Sequence, residues 1–221
     1  MFSSQKNVFW QALIFTIFIF ALGMIAGVVL ENWRTSKIDF LFQKSEIDLL
    51  DAKIQNQIYT ENNFDCFSAI DENMKFADRI YGEAKMLEKY EGASRLTEDL
   101  YLEHKKYDLL RTLLLLNSIK LKEKCNVTYD EVVYFYNFNE ENIEKKIRQG
   151  VFSNQLREIK ELKGSSVLLI PIAANMNVSS IELVLQMYQV DKQNLPLIVI
   201  NRNKKVDSLM DTQQMLSYLR Q

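Results

Sequence analysis

Twenty-two consecutive residues without a charge constrain this chain more than any other feature. From Phe9 to Leu30 the sequence reads FWQALIFTIFIFALGMIAGVVL, with Gln11 and Thr16 as its only clearly polar side chains. A helix of this length reaches about 33 Å, enough to cross a hydrocarbon core of roughly 30 Å. Trp10 and Trp33 stand at its ends, where indoles favour the membrane interface. The run is longer than the apolar part of a cleavable signal peptide, and VVLENW is a poor small-residue cleavage site. The expectation is an uncleaved, single-pass anchor in a cell membrane, preceded by a short tail (1–8). Gly23 and Gly27 form a GxxxG within it, a spacing that lets two helices approach closely and suggests a homodimer. Lys6 precedes the anchor and Arg34, Lys37 and Lys44 follow it among acidic residues, so charge asymmetry does not set its orientation.

After the anchor, residues 31–128 keep a helical rhythm of the kind found in coiled coils and bundles. Ile38, Leu41, Ser45, Leu49 and Ala52 trace one stripe, with Ile47, Leu50, Ile54 and Ile58 beside it. Ile70, Met74, Ala77, Tyr81 and Ala84 trace a second. Leu96, Leu100, Glu103, Tyr107, Leu110, Leu114, Asn117 and Leu121 trace a third. TENNFD and EGAS punctuate them, and Gly92 and Ser94 suit the end of one helix and the cap of the next. A stalk followed by an antiparallel hairpin results. His104, the only histidine, falls in LEHKK on the charged face and reads as a solvated side chain.

The only two cysteines flank this hairpin, Cys66 opening its first helix and Cys125 following its second. Counted outward from the turn they lie at the same end, offset by about 10 Å of helix rise. Two arrangements stay open: separate buried thiols, or a disulfide stapling the base of the hairpin. A stable disulfide would place the soluble part outside the cytoplasm. The sequons at Asn126 and Asn177 add nothing, since a chain this rich in Asn, Ser and Thr produces them by composition.

Beyond Cys125 the period changes. EVVYFYNFN (131–139), SSVLLIPIAA (165–174), PLIVIN (196–201) and KKV (204–206) are strand-like, and the segments between and after them read as helices. Strand, helix, strand, helix, strand, strand, helix is the resulting order, with a parallel first pair and an antiparallel last pair.

Tyr188, Val190, Pro196, LIVI (197–200) and NRNKKV (201–206) resemble the end of a helix, the proline loop and the last hairpin of the thioredoxin-like superfamily. The likeness covers about residues 129–221 and implies an α/β thioredoxin-like domain behind the anchor and the helical region. It implies that Pro196 is the family's cis-proline. It also implies a Cys-x-x-Cys at the start of the first helix of the domain, where the helix dipole stabilises a thiolate. Here approximately Glu140 and Ile143 stand in those places, so the redox pair is missing. What the resemblance leaves is a surface: Phe138, Asn139 and Glu140 beside Leu195 and Pro196, where backbone groups of Leu195 would pair with an extended peptide and Phe138 and Leu195 would give apolar contact.

Neither a phosphate-binding glycine loop nor GxSxG occurs, and no His stands in a plausible place to serve a nucleophile. No catalytic residue, metal ligand or cofactor is therefore expected. Residues 129–221 carry eleven basic and eleven acidic side chains, and residues 31–128 fifteen and eighteen, which leaves no cationic face for nucleic acid. Two functions remain: a membrane-anchored, redox-inactive thioredoxin-like module that binds a protein or peptide, or a membrane-bound thiol oxidoreductase or redox sensor using Cys66 and Cys125. The anchor makes a direct prediction. The full-length chain stays in the membrane pellet after alkaline carbonate washing, and its release into the supernatant contradicts a spanning helix.

Overall fold

A computed structural model of the chain describes residues 3–61, 63–91 and 97–220. The chain divides into two compact units, Met1–Lys44 and Ser45–Gln221. The first unit is helical as far as it is described, and forms the larger part of α1 (Ser3–Ile58). Within it Val8–Trp33 is long and apolar enough to cross a membrane, with mean hydropathy 2.8 and no burial against protein in that window. Thr16 does not disturb the span, because its hydroxyl donates to the Ala12 carbonyl of the same helix at 2.9 Å. Among the described residues, nothing beyond the surrounding turns of α1 lies within 4 Å of a Cβ placed on Gly23 or Gly27.

The second unit opens with the end of α1 and continues through α2 (Cys66–Glu91), α3 (Thr97–Lys124), β1 (Asp130–Tyr136), α4 (Ile143–Lys163), β2 (Val167–Ala173), α5 (Ser179–Met187), β3 (Leu197–Ile200), β4 (Lys204–Val206) and α6 (Thr212–Leu216). The expected turn at Gly92 and Ser94 lies outside the described residues, as does Leu96. From Ser45 on, the first stripe packs on α3: Ser45 and Ala52 are fully buried, as are the polar members Glu103 and Asn117 of the third stripe. The three polar members Ser45, Glu103 and Asn117 have partners. Ser45 Oγ donates to Glu103 Oε1 at 3.0 Å, and Asn56 Nδ2 to Asn117 Oδ1 at 2.7 Å. The neighbouring Ile47, Leu50, Ile54 and Ile58 stay exposed.

The stripe expected on α2 is displaced by one residue. Ala69, Asn73, Phe76, Ile80 and Glu83 are buried, while Ile70, Met74 and Ala77 are only half-buried and Tyr81 is exposed. Phe76 decides the phase: it is the largest apolar side chain of the helix interior, and the face that buries it is the core face.

All four expected strands form. They make a mixed sheet in the order β2-β1-β3-β4, with β1 and β2 parallel and β3 antiparallel to both β1 and β4. Side chains alternate along each strand, and both faces are covered. Val133, Phe135, Leu168, Ile170, Ile172, Leu197 and Val199 share one core with α2, α3 and α5. Val132, Tyr134, Ile198 and Ile200 face Phe152, Leu156 and Ile159 of α4 and Met215 of α6.

Cys66 and Cys125 are bonded, with 5.7 Å between their Cα atoms. Because α3 ends at Lys124, the chain turns at Cys125 and removes the offset that straight helices would leave. The bond closes a loop over a sequence separation of 59, for which chain entropy alone gives about 4 kcal/mol of stabilisation. Replacing both cysteines by Ser therefore lowers the unfolding free energy in a denaturant titration by a few kcal/mol. A change below about 1 kcal/mol contradicts a structural staple.

Candidate functional site

The carboxyl ends of parallel strands are where open α/β sheets present ligands. At this edge β1 passes into the loop 137–142 and β2 into the loop 174–178, and Leu197, which opens β3, pairs with Phe135. The loops are tied down by side-chain amides. Asn175 clamps Phe138, accepting from its N–H at 2.7 Å and donating to its carbonyl at 2.7 Å. Gln149 of α4 does the same for Asn137, at 2.9 and 3.1 Å.

Glu140 lies inside this lattice. It accepts from Asn137 Nδ2 at 2.7 Å and from the Asn142 N–H at 3.0 Å. The Asn137 amide, with that N–H, holds its carboxyl below the usual range. Asn142 then caps α4, its Oδ1 accepting from the Lys145 N–H at 3.1 Å. Asn139 sits at φ 51°, a left-handed conformation that Asn tolerates better than most residues.

Across the edge, the Leu195–Pro196 peptide bond is cis. Lys145 Nζ donates to the Gln193 carbonyl at 2.8 Å, tying the first turn of α4 to the segment before Leu195. Lys145, Arg148, Gln193, Asn194, Leu195 and Asp207 line a depression of about 140 Å³ there. Glu140 and the Leu195–Pro196 loop are thus brought together through α4. Phe138 goes elsewhere. It is half-buried on the α3 side of the sheet, its ring 4.1 Å from His104 and 6.2 Å from Tyr101, centroid to centroid. His104 is accordingly half-buried against Phe138 rather than fully solvated. Leu195 is 0% exposed, so the proline loop offers a ligand main chain rather than that side chain. The apolar groups open at this edge are Ile143 and Ile147, 77% and 61% exposed on successive turns of α4. The sequence carries a signal for them: they fall outside the spacing of Phe152, Leu156 and Ile159, which bury this helix.

A buried carboxylate underlies the site. Asp108 of α3 is fully buried and accepts from the Ala173 N–H at 3.2 Å and from Arg111 NH1 at 3.1 Å, while its Oδ2 has no hydrogen-bond partner among the described residues. The reason lies in the strand pairing. The Ala174 N–H bonds the Tyr136 carbonyl of β1, so the N–H groups of Leu169 and Ala173 point away from the sheet, and Pro171 between them has no donor. Asp108 covers the last of these edge donors, and Lys160 Nζ covers the Val167 carbonyl at 2.9 Å. An incoming strand is thereby excluded from β2. Burial pushes the Asp108 carboxyl above its ordinary range, and the same cause raises the Tyr136 phenol.

The disulfide lies at the other end of the strand. Cys125 precedes Asp130, and the seven residues of β1 span about 20 Å before the site is reached. Among the described residues no group of three His, Cys, Asp or Glu side chains is gathered to hold a metal. Comparison of the chain with protein-family models, curated proteins and solved structures finds no match.

The position of Asp108 sets a pH dependence. An unfolded Asp ionises near pH 3.9, whereas the buried carboxyl keeps its proton to higher pH, so the folded state binds more protons between the two values. The stability that Asp108 contributes falls as pH rises from about 4 through the folded-state pKa. Asp108→Asn keeps an oxygen for the Ala173 N–H but does not titrate. In denaturant titrations the stability of the wild type relative to the variant declines as pH rises above about 4, and a difference independent of pH contradicts a buried, proton-holding carboxyl.

Proposed function

We propose that the chain is a membrane-anchored thioredoxin-like protein that performs no dithiol chemistry and instead holds an extended segment of a protein partner at the start of α4. The first turn of that helix favours this function most directly. Asn142 caps it, Lys145 fastens it to Gln193 beside Leu195–Pro196, and Ile143, approximately where the resemblance would put the second of the two thiols, stands exposed together with Ile147 one turn on. Exposed apolar side chains next to a fixed stretch of main chain suit a peptide, with main-chain pairing for affinity and apolar contact for selectivity. The order of elements, the parallel β1–β2 pair and the antiparallel β3–β4 hairpin agree with the resemblance.

The oxidoreductase reading loses support from the cysteines. Both are joined to each other at the far end of β1, and the chain has no others. A stable disulfide favours an oxidising compartment, which supports a soluble unit outside the cytoplasm on a Val8–Trp33 anchor.

The proposal is tested in native membranes with a photo-reactive residue at position 147 of the full-length protein. A discrete protein adduct is expected, lost when Ile143→Glu is added and absent when the probe replaces the exposed Glu158 instead. Purified wild-type protein is expected to leave insulin disulfides intact in the presence of excess dithiol beyond the uncatalysed rate. Turnover in that assay, or an adduct indifferent to Ile143→Glu, overturns the assignment.

A further inference from the structure

A second depression, of about 300 Å³, opens where the C-terminus of α5 meets the β3–β4 turn, and is lined by Met187, Tyr188, Gln189, Arg202 and Lys205. Its lining holds two cations and no carboxylate. We infer that this depression binds a small phosphate ester, with Arg202 and Lys205 as the anion-binding pair.

Backbone conformation is the first ground. Asn201 and Arg202 occupy the β3–β4 turn at φ 48° and 63°, closed by the Asn203 N–H on the Ile200 carbonyl at 3.1 Å. Asn and Gly are the residues such turns favour, and Arg at the second position is strained. Gln189 repeats the pattern at φ 51°. It ends α5 in a paired closure, with the Val190 N–H on the Leu185 carbonyl at 2.9 Å and its own N–H on the Gln186 carbonyl at 3.0 Å, a position where Gly predominates. Two strained non-glycine residues meeting at one depression mark a place where side chains are kept against local preference.

The second ground is how the cations are held. The phenol of Tyr188 donates to Oε1 of the fully buried Glu131 at 3.1 Å, so the wall beside Arg202 is fixed to the core. Lys205 Nζ donates to the Gln189 carbonyl at 2.9 Å, which leaves two of its three protons for a ligand. The Val184, Leu185 and Gln186 carbonyls of α5 are met by backbone N–H groups, and Lys205 reaches only the Gln189 carbonyl beyond them. The Arg202–Glu123 pair at 3.9 Å is a surface pair of little weight, Glu123 being largely exposed. An Arg fork, a Lys point charge and an apolar wall at Met187 suit a phosphate carried on a small organic group.

The test uses full-length protein in detergent, titrated with inorganic phosphate and with glycerol 3-phosphate at constant ionic strength and followed by the amide resonances of Gln189, Arg202 and Lys205. Saturable shifts are expected with both. Arg202→Gly removes the fork and relieves the strained backbone, so it is expected to weaken binding by about tenfold or more while raising Tm. Lys205→Gln weakens binding comparably without that rise. Absence of saturable shifts, unchanged affinity in Arg202→Gly, or a lower Tm in that variant overturns the inference, the last because it makes Arg202 a structural residue.

Discussion

The packing of α3 against the β2 side of the sheet is the interaction on which the remainder of the second unit depends. Leu110, Leu114, Leu115 and Leu121 of this helix belong to the same core as Leu168, Ile170 and Ile172 of β2 and Phe135 of β1. Removing one such side chain costs about 2–5 kcal/mol, a large part of the 5–15 kcal/mol that holds a domain together. The same helix supplies Asp108 to the exposed edge of β2 and His104 to the ring of Phe138. Apolar packing provides the energy, and the polar contacts fix the register at which the helix meets the sheet edge.

That arrangement governs what the site can do. With β2 guarded by Asp108, Pro171 and Lys160, and β4 reduced to three residues bearing Lys204 and Lys205, sheet extension by a partner is disfavoured at both edges. The proposed peptide contact accordingly uses the carboxyl ends of β1 and β2 rather than a sheet edge. There Asn137, Asn175 and Gln149 hold the loops after β1 and β2 by side-chain amide hydrogen bonds, and Lys145 ties the start of α4 to the segment before the proline. The disulfide works at the opposite end, where α2 begins and α3 gives way to β1.

Much of this was legible in the residues. LIVI and EVVYFY are β-branched and aromatic runs bounded by turns, and buried strands are what such runs favour. Pro196 was legible through its place before one of them. Less legible were contacts created only by tertiary packing. Asp108 in KYDLL looks like any polar residue of a helix, because its burial comes from an N–H on β2 that is 65 residues away in sequence. Leu195 reads as an apolar contact for a ligand, yet the same side chain is equally suited to the core and is found there. The α2 stripe was misphased because Ile70 and Met74 satisfy helical spacing as well as Ala69 and Phe76 do, and periodicity alone does not say which face meets the neighbour. The cysteines were ambiguous for a geometric reason: straight helices leave them offset, and the turn of the chain at Cys125 brings them together.

The account therefore stands on α3 and the sheet being one cooperative structure. Native-state hydrogen exchange measures this directly, by comparing the opening free energies of α3 amides from Asp108 to Leu121 with those of Val132 to Phe135 in β1. The account predicts that both sets open with the same global free energy and that Leu115→Ala lowers both together, by about 2–5 kcal/mol. Exchange of α3 through a lower-energy opening that leaves β1 fully protected, or a loss in Leu115→Ala confined to the helix, would contradict it.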